Sequence, residues 1–184
     1  MEAGAGTTPS QTVGPFFRLG VDELCVDDVS KGDNGPCIII EGTVFDGAGE
    51  PVSDALIETW QADSNGTYPD ARSAGEFRGF GRVPTDDNGR FRLRTIRPGP
   101  VPAPTGAMQA PHLVVAIFMR GLLKQLVTRI YFEHDAMNEA DLVLNMVEPA
   151  RRRTLIATRR PGSGETFAWD VHLQGQDETV FFDV

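Results

Sequence analysis

Two side chains in this sequence have the chemistry to bind a ferric ion, and they lack company. Tyr68 closes the run Trp60-Gln61-Ala62-Asp63-Ser64-Asn65-Gly66-Thr67-Tyr68, and His112 lies in Ala110-Pro111-His112-Leu113-Val114-Val115. A phenolate and an imidazole are both suitable ferric ligands, but one of each leaves a stable ferric centre short of protein donors. Val114, two residues past His112, and Val101, after the Pro98-Gly99-Pro100 turn, have no lone pair to add. Read as residues alone, Tyr68 packs its ring and satisfies its hydroxyl locally, and His112 is a hydrogen-bonded histidine at a strand end. His134 and His172 have no ligand-like neighbours in sequence.

Arg120 has different chemistry. If residues 112–120 form one strand, His112, Val114, Ala116, Phe118 and Arg120 share a face. Eight steps at ~3.3 Å then put Arg120 roughly 26 Å along the strand from His112. It is out of reach of a pocket at His112, but it could hold a carboxylate at a boundary with a partner, through paired charge-assisted contacts. A solvated strand-end arginine is the plainer alternative. Asp54, Glu58 and Asp63 raise the question of a carboxylate pair, but nothing makes two of them converge on a sugar. Glu58 reads as an outward-facing strand residue or an arginine partner. Cys25 and Cys37 lack metal-type spacing and read as free thiols, with a structural disulfide as the alternative. Arg151-Arg152-Arg153 and Arg159-Arg160 bracket an apolar run, decorating strand ends or steering a partner.

These residues need strands to position them. Thirteen prolines and 20 glycines punctuate short apolar runs, the pattern of a sheet-rich chain with many turns. Strands are expected over 37–45, 55–62, 90–96, 112–119, 125–132, 154–158, 166–173 and 179–182. Asp46-Gly47-Ala48-Gly49 and Asp86-Asp87-Asn88-Gly89 carry the positive-φ residues that tight turns need. The reading is an all-β, two-layer β-sandwich with a short surface helix over 137–146. Residues 1–36 read as an irregular N-terminal arm and 37–184 as a single sandwich domain. Within the arm, Thr12-Val13-Gly14-Pro15-Phe16-Phe17 combines a fixed bend with two aromatic rings suited to packing on something else, a disordered tail being the alternative.

Composition excludes several classes of function. A formal net charge of −9 argues against nucleic acid, whose phosphates require a positive surface. No apolar run approaches the ~20 residues that cross a bilayer. Met1-Glu2-Ala3-Gly4-Ala5-Gly6 lacks the basic and apolar regions of a signal peptide, so the chain reads as cytoplasmic.

The motifs taken in order are more specific than any one of them. Besides the runs around Tyr68 and His112, they are Thr8-Pro9-Ser10-Gln11-Thr12, Gly14-Pro15-Phe16, Phe80-Gly81-Arg82, Thr95-Ile96-Arg97-Pro98-Gly99, Phe118-Met119-Arg120-Gly121, Thr128-Arg129-Ile130-Tyr131-Phe132 and the closing stretch from Gln174 to Phe182. This series resembles the intradiol ring-cleaving dioxygenases. The resemblance implies a β-sandwich and a site where two tyrosines and two histidines bind Fe3+. Tyr68 and His112 fill two of the four ligand positions; Val101 and Val114 stand in the others, and Gln109 stands where catalytic members carry an arginine. These five residues would be a relic site, with no metal and no catalytic residue in this chain, and the chain alone would be inactive. The resemblance further implies a non-iron α-type subunit, paired with an iron-bearing β subunit in a high-order αβ hetero-oligomer. The shared site would open 3,4-dihydroxybenzoate (protocatechuate) with O2 to 3-carboxy-cis,cis-muconate. Arg120 would face the substrate carboxylate there, and Thr12, Gly14, Pro15 and Phe16 would wall the site. Two rivals are a self-sufficient iron dioxygenase with unrecognised ligands and a non-enzymatic binding or scaffold module.

Overall fold

Alternation of apolar and polar residues is plainest in Cys37–Phe45, where the even-numbered positions from Ile38 to Val44 are buried and the intervening ones are not. The computed structural model describes residues 8–14, 16–33, 35–70 and 77–183. Its strands are β1 (Cys37–Phe45), β2 (Leu56–Gln61), β3 (Phe80–Pro84), β4 (Arg90–Ile96), β5 (Val101–Pro102), β6 (Met108–Gln109), β7 (Leu113–Phe118), β8 (Leu126–Phe132), β9 (Ile156–Arg159), β10 (Thr166–Ala168) and β11 (Val171–His172). One layer runs β3-β2-β7-β8, antiparallel throughout. The other sets β4 antiparallel to β1, with β10 and β11 parallel to β1 and β9 antiparallel to β10. A short parallel pairing of β8 with β9 joins the two layers at one edge.

The core fills the space between them. Ile38, Ile40, Phe91 and Leu93 from one layer meet Ile57, Val83, Leu113, Val115, Ile117 and Ile130 from the other, all buried. Each such side chain contributes about 1.5–3 kcal/mol on burial. The expected two-layer all-β architecture is therefore the observed one.

Several elements differ from the sequence expectation. Strand β3 was not foreseen, because Phe80-Gly81-Arg82-Val83-Pro84 carries a glycine and a proline. Gly81 is required there: a Cβ would meet the Thr59 hydroxyl oxygen at 2.6 Å. The expected strand over 166–173 is broken at Trp169-Asp170. The Asp170 carboxylate accepts the Thr43 N–H at 2.8 Å, taking the place of a backbone partner. The run 179–182 forms no strand, only a bridge between Val127 and Phe182. The helix expected over 137–146 divides into a 3-10 turn, Ala136–Glu139, and a short helix α2 (Leu142–Asn145). Asp141 causes the division by capping α2 with its carboxylate.

Inside the segment read as an arm, Phe17–Val21 forms a helix, α1. Val26 and Asp28 bridge to Arg82 and Arg94, and Val29 is buried in the core. Both aspartate-led turns close as their residues suggest. Asp46 accepts from the Ala48 and Glu50 N–H groups, Asp86 from those of Asn88 and Arg90, and Gly49 and Gly89 take φ of 81° and 70°. The second turn does not make a hairpin, since β3 pairs with β2 and β4 with β1. Among the described residues, no helix is long and apolar enough to cross a membrane.

Candidate functional site

Register decides which residues share the outer face of the β3-β2-β7-β8 layer. One row holds Phe80, Trp60, Val114 and Arg129; the next holds Arg82, Glu58, Ala116 and Val127. Glu58 and Arg82 form an ion pair at 2.7 Å, which accounts for the carboxylate as an arginine partner. Asp54 pairs with Arg120, and Asp63 accepts the Asn65 and Thr67 N–H groups, so the three carboxylates do not converge on a substrate.

The turn that Asp63 closes brings Tyr68 to the face. Gly66 takes φ of 82°, and a Cβ on it would meet the Pro100 carbonyl oxygen at 1.9 Å. Only glycine permits that approach, and it locks the loop before Tyr68 against the Pro98-Gly99-Pro100 turn. The Gly99 N–H donates to the Asp63 carbonyl at 2.9 Å, reinforcing the contact. Tyr68 then stacks on Trp60 with ring centroids 5.9 Å apart. Gln61, central to the same motif, ties β2 to β4. It donates to the Ile96 carbonyl at 3.1 Å and accepts from the Thr95 hydroxyl at 2.6 Å.

His112 immediately precedes β7 and is 1% exposed. Its Nδ1 lies 2.7 Å from the Ala110 carbonyl oxygen, which can only accept, so Nδ1 carries the proton. Nε2 is then an acceptor, facing the Tyr68 hydroxyl at 3.4 Å. Val101 in β5 pairs with Gln109 in β6. Tyr68, Val101, Gln109, His112 and Val114 thus belong to one neighbourhood, as the resemblance implied.

Three further residues in it were missed. Arg129 is the cross-strand neighbour of Val114; its Nη1 donates to the Gln109 Oε1 at 2.9 Å and to the Tyr131 hydroxyl at 3.3 Å. Tyr131 in turn donates to the Asp141 Oδ1 at 3.1 Å, and its ring lies 5.7 Å from that of His112. Asp141, fully buried, also accepts the Ala110 and Leu144 N–H groups, each at 2.8 Å. A signal was available in Thr128-Arg129-Ile130-Tyr131: alternation puts Arg129 and Tyr131 on one face, opposite the strand led by His112.

Burial pushes the Tyr68 hydroxyl above its ordinary 10.0, with the positive charge of Arg129 opposing. It pushes Tyr131 up strongly too. Burial lowers the His112 imidazole, and the Arg129 charge lowers it further. The site therefore presents two phenols, a neutral imidazole, a guanidinium and the Asp141 carboxyl, whose oxygens already accept from two backbone N–H groups and Tyr131. This donor set does not fit a ferric ion. The one imidazole nitrogen with a lone pair faces a phenol proton, the phenolate form is disfavoured, and a guanidinium offers donors only.

The other end of β7 gathers a second set. Arg120 follows the strand in a turn where Gly121 takes φ of 93°. The Gly121 N–H donates to the Thr12 hydroxyl at 2.7 Å, and the Phe17 ring lies 6.1 Å from Phe118. The segment read as an arm is thus fastened beside Arg120, with Gly14 exposed and Phe16 78% exposed. Pro15 lies outside the described residues. Arg120 and His112 lie beyond opposite ends of β7, and because that strand stops at Phe118 with Arg120 in the turn, the single strand expected over 112–120 is not formed. Cys25 and Cys37 form no disulfide with each other, and the Cys25 thiol donates to the Val21 carbonyl.

Comparison with known proteins adds three findings. A family model described as Dioxygenase matches residues 16–175. The chain is 41% identical, over 96% of its length and 97% of the other's, to a protocatechuate 3,4-dioxygenase alpha chain of Burkholderia cepacia. It is 33% identical, over 85% of its length and 73% of the other's, to the beta chain from the same organism. Among solved structures, 3-chlorocatechol 1,2-dioxygenase of Rhodococcus opacus 1CP matches with a TM-score of 0.66 and 27% identity, covering 79% of this chain and 63% of that one.

Proposed function

The chain belongs to the dioxygenase family of intradiol ring-cleaving enzymes, and on that premise we propose that it is the α subunit of a protocatechuate 3,4-dioxygenase. In this reading it holds no iron and completes the active site of an iron-bearing β subunit. The observation that carries the reading is end-to-end similarity to an α chain, higher in identity and coverage than similarity to a β chain. The donor set around His112, which suits hydrogen bonding rather than metal, supports it.

Metal chemistry belongs to the partner; orientation belongs to this chain. Arg120 offers a guanidinium to the carboxylate of 3,4-dihydroxybenzoate, a geometry a carboxylate can meet with two contacts. Asp54 holds that guanidinium before substrate arrives. Thr12 fixes the loop through Gly121, which supports reading Thr12, Gly14 and Phe16 as a wall beside it; Pro15, expected with them, lies outside the described residues. We take residues 1–36 as the docking arm, 37–184 as the domain that carries it, and the cytoplasm as its place of work.

Each chain alone and the co-expressed pair should be assayed for iron and ring cleavage, with cleavage expected only where the β subunit is present with this one. In the pair, Arg120→Ala should raise KM for protocatechuate about 10- to 150-fold, the worth of a charge-assisted hydrogen bond. Catechol, which lacks the carboxylate, should be far less affected. Equal losses on both substrates would remove Arg120 from the substrate site, and iron with turnover in the isolated chain would overturn the subunit reading.

A further inference from the structure

The outer face of the β7-β8 pair carries a positive charge, Arg129, beside Val114, with the buried Asp141 carboxylate behind Tyr131. Arg129 stands directly across from Val114 in the ladder, and Tyr131 stands across from His112 one step further on. Gln109, from the β5-β6 ribbon, and Tyr131, from β8, both turn an oxygen toward the same guanidinium nitrogen. Tyr131 donates its hydroxyl hydrogen bond to Asp141, which is anchored by two backbone N–H groups from separate segments. Gln109 and Tyr131 thus both accept from one cation, with Asp141 fixing Tyr131 from behind, and that cation is covalently part of the chain.

We infer that the Arg129 guanidinium is a resident cation that occupies the electrostatic place of a metal in this pocket and bars metal ions from it. Three features of the geometry favour this over an incidental surface arginine. Arg129 is bonded to Gln109, which pairs with Val101, so the charge is tied to both ends of the pocket. A guanidinium keeps its proton at any pH the protein meets, so the charge cannot be relieved by titration. Its planar fork is held by fixed oxygens rather than by mobile surface carboxylates, which keeps the repulsion toward an entering cation in place.

The inference goes beyond missing ligands. It states that restoring ligands is insufficient while Arg129 remains. It rests on the reading that this chain carries no iron, and the test separates the two. The full chain and two variants, Val101→Tyr/Val114→His and the same pair with Arg129→Gln, should be titrated with ferric nitrilotriacetate. The readouts are the visible phenolate-to-iron band and bound iron after gel filtration. A smaller change serves if the tyrosine variants do not fold: Val114→His, with and without Arg129→Gln, titrated with Co2+ and followed by its visible bands. Repulsion between a unit charge and a multivalent ion at close range in a partly buried site corresponds to a difference of ~100-fold or more in affinity. The variants lacking Arg129 should therefore bind at least that much more tightly than their Arg129-bearing counterparts, and the unaltered chain should stay colourless. Equal metal binding with and without Arg129 overturns the inference, and so does a folded Arg129→Gln set that takes up neither ion. Iron bound by the unaltered chain overturns the non-iron reading itself.

Discussion

His112 is a base that its surroundings keep neutral. Burial lowers its pKa below 6.5, Arg129 lowers it further, and the Ala110 carbonyl and Asp141 oppose without reversing the shift; Tyr68 faces it as a phenol. The unfolded chain takes up this proton near pH 6.5, whereas the folded chain resists until its lower pKa is reached. Stability should therefore be flat above pH 6.5 on this account and fall as pH drops below it, by at most roughly 1.4 kcal/mol per pH unit. Urea unfolding between pH 5 and 8 checks this, and His112→Gln should remove that part of the slope. An unchanged slope in the variant would show that the imidazole titrates alike in both states. Legibility at this scale was uneven. Tyr68, His112 and the two valines were readable because their runs are short and ordered. Arg129, Tyr131 and Asp141 were not, because each looks like an ordinary strand or cap residue until the register brings them together.

Strands with clean alternation were legible, and those interrupted by a special residue were not. Residues 37–45 and 90–96 were placed to the residue, since Ile38, Ile40 and Val44 in one and Phe91 and Leu93 in the other fall on alternate positions that face the core. Strand β3 and the break between β10 and β11 depend on close backbone approaches that a hydropathy pattern does not encode. Gly42 shows the cost of such an approach. A Cβ there would meet the Trp169 carbonyl oxygen at 1.8 Å, in the region where Asp170 replaces a ladder partner. Gly42→Ala must push β1 and the β10-β11 junction apart, and it should destabilise by about 1–3 kcal/mol or more, as overpacking does. Thermal unfolding measures this, and Gly14→Ala, where a Cβ meets nothing, is the matched control for adding a methyl group. If the two variants melt together, the junction yields more easily than its geometry suggests.

Among the described residues, four of the five most exposed large apolar side chains lie on one segment and one turn, the fifth being Met146 beside α2. Phe16, Leu19 and Leu24 lie in the N-terminal segment, and Leu123 lies in the turn beyond Arg120. Apolar surface concentrated beside a fastened charge is the usual mark of a contact site. Removing residues 1–17 deletes Phe16 and the Thr12 hydroxyl that holds Gly121. Co-purification with the β subunit should weaken on that deletion, and activity of the pair should fall with it. A truncated chain that assembles and turns over normally would show the segment to be passive. The paired-chain architecture itself was legible only through the order of motifs, since composition and net charge are those of many single-chain proteins.

The pairing of β1 with β10 and β11 also bears on how the protein is made. Strand β1 leaves the ribosome well before its parallel neighbours, which begin at Thr166 and Val171. Until they emerge, the outer edge of β1 is an unpaired row of donors and acceptors beside a half-built core, the kind of edge that templates misassembly. Loop closure over that separation also slows the final step. The nascent chain must therefore wait, adhesive along that edge, until more than a hundred further residues have brought those neighbours out.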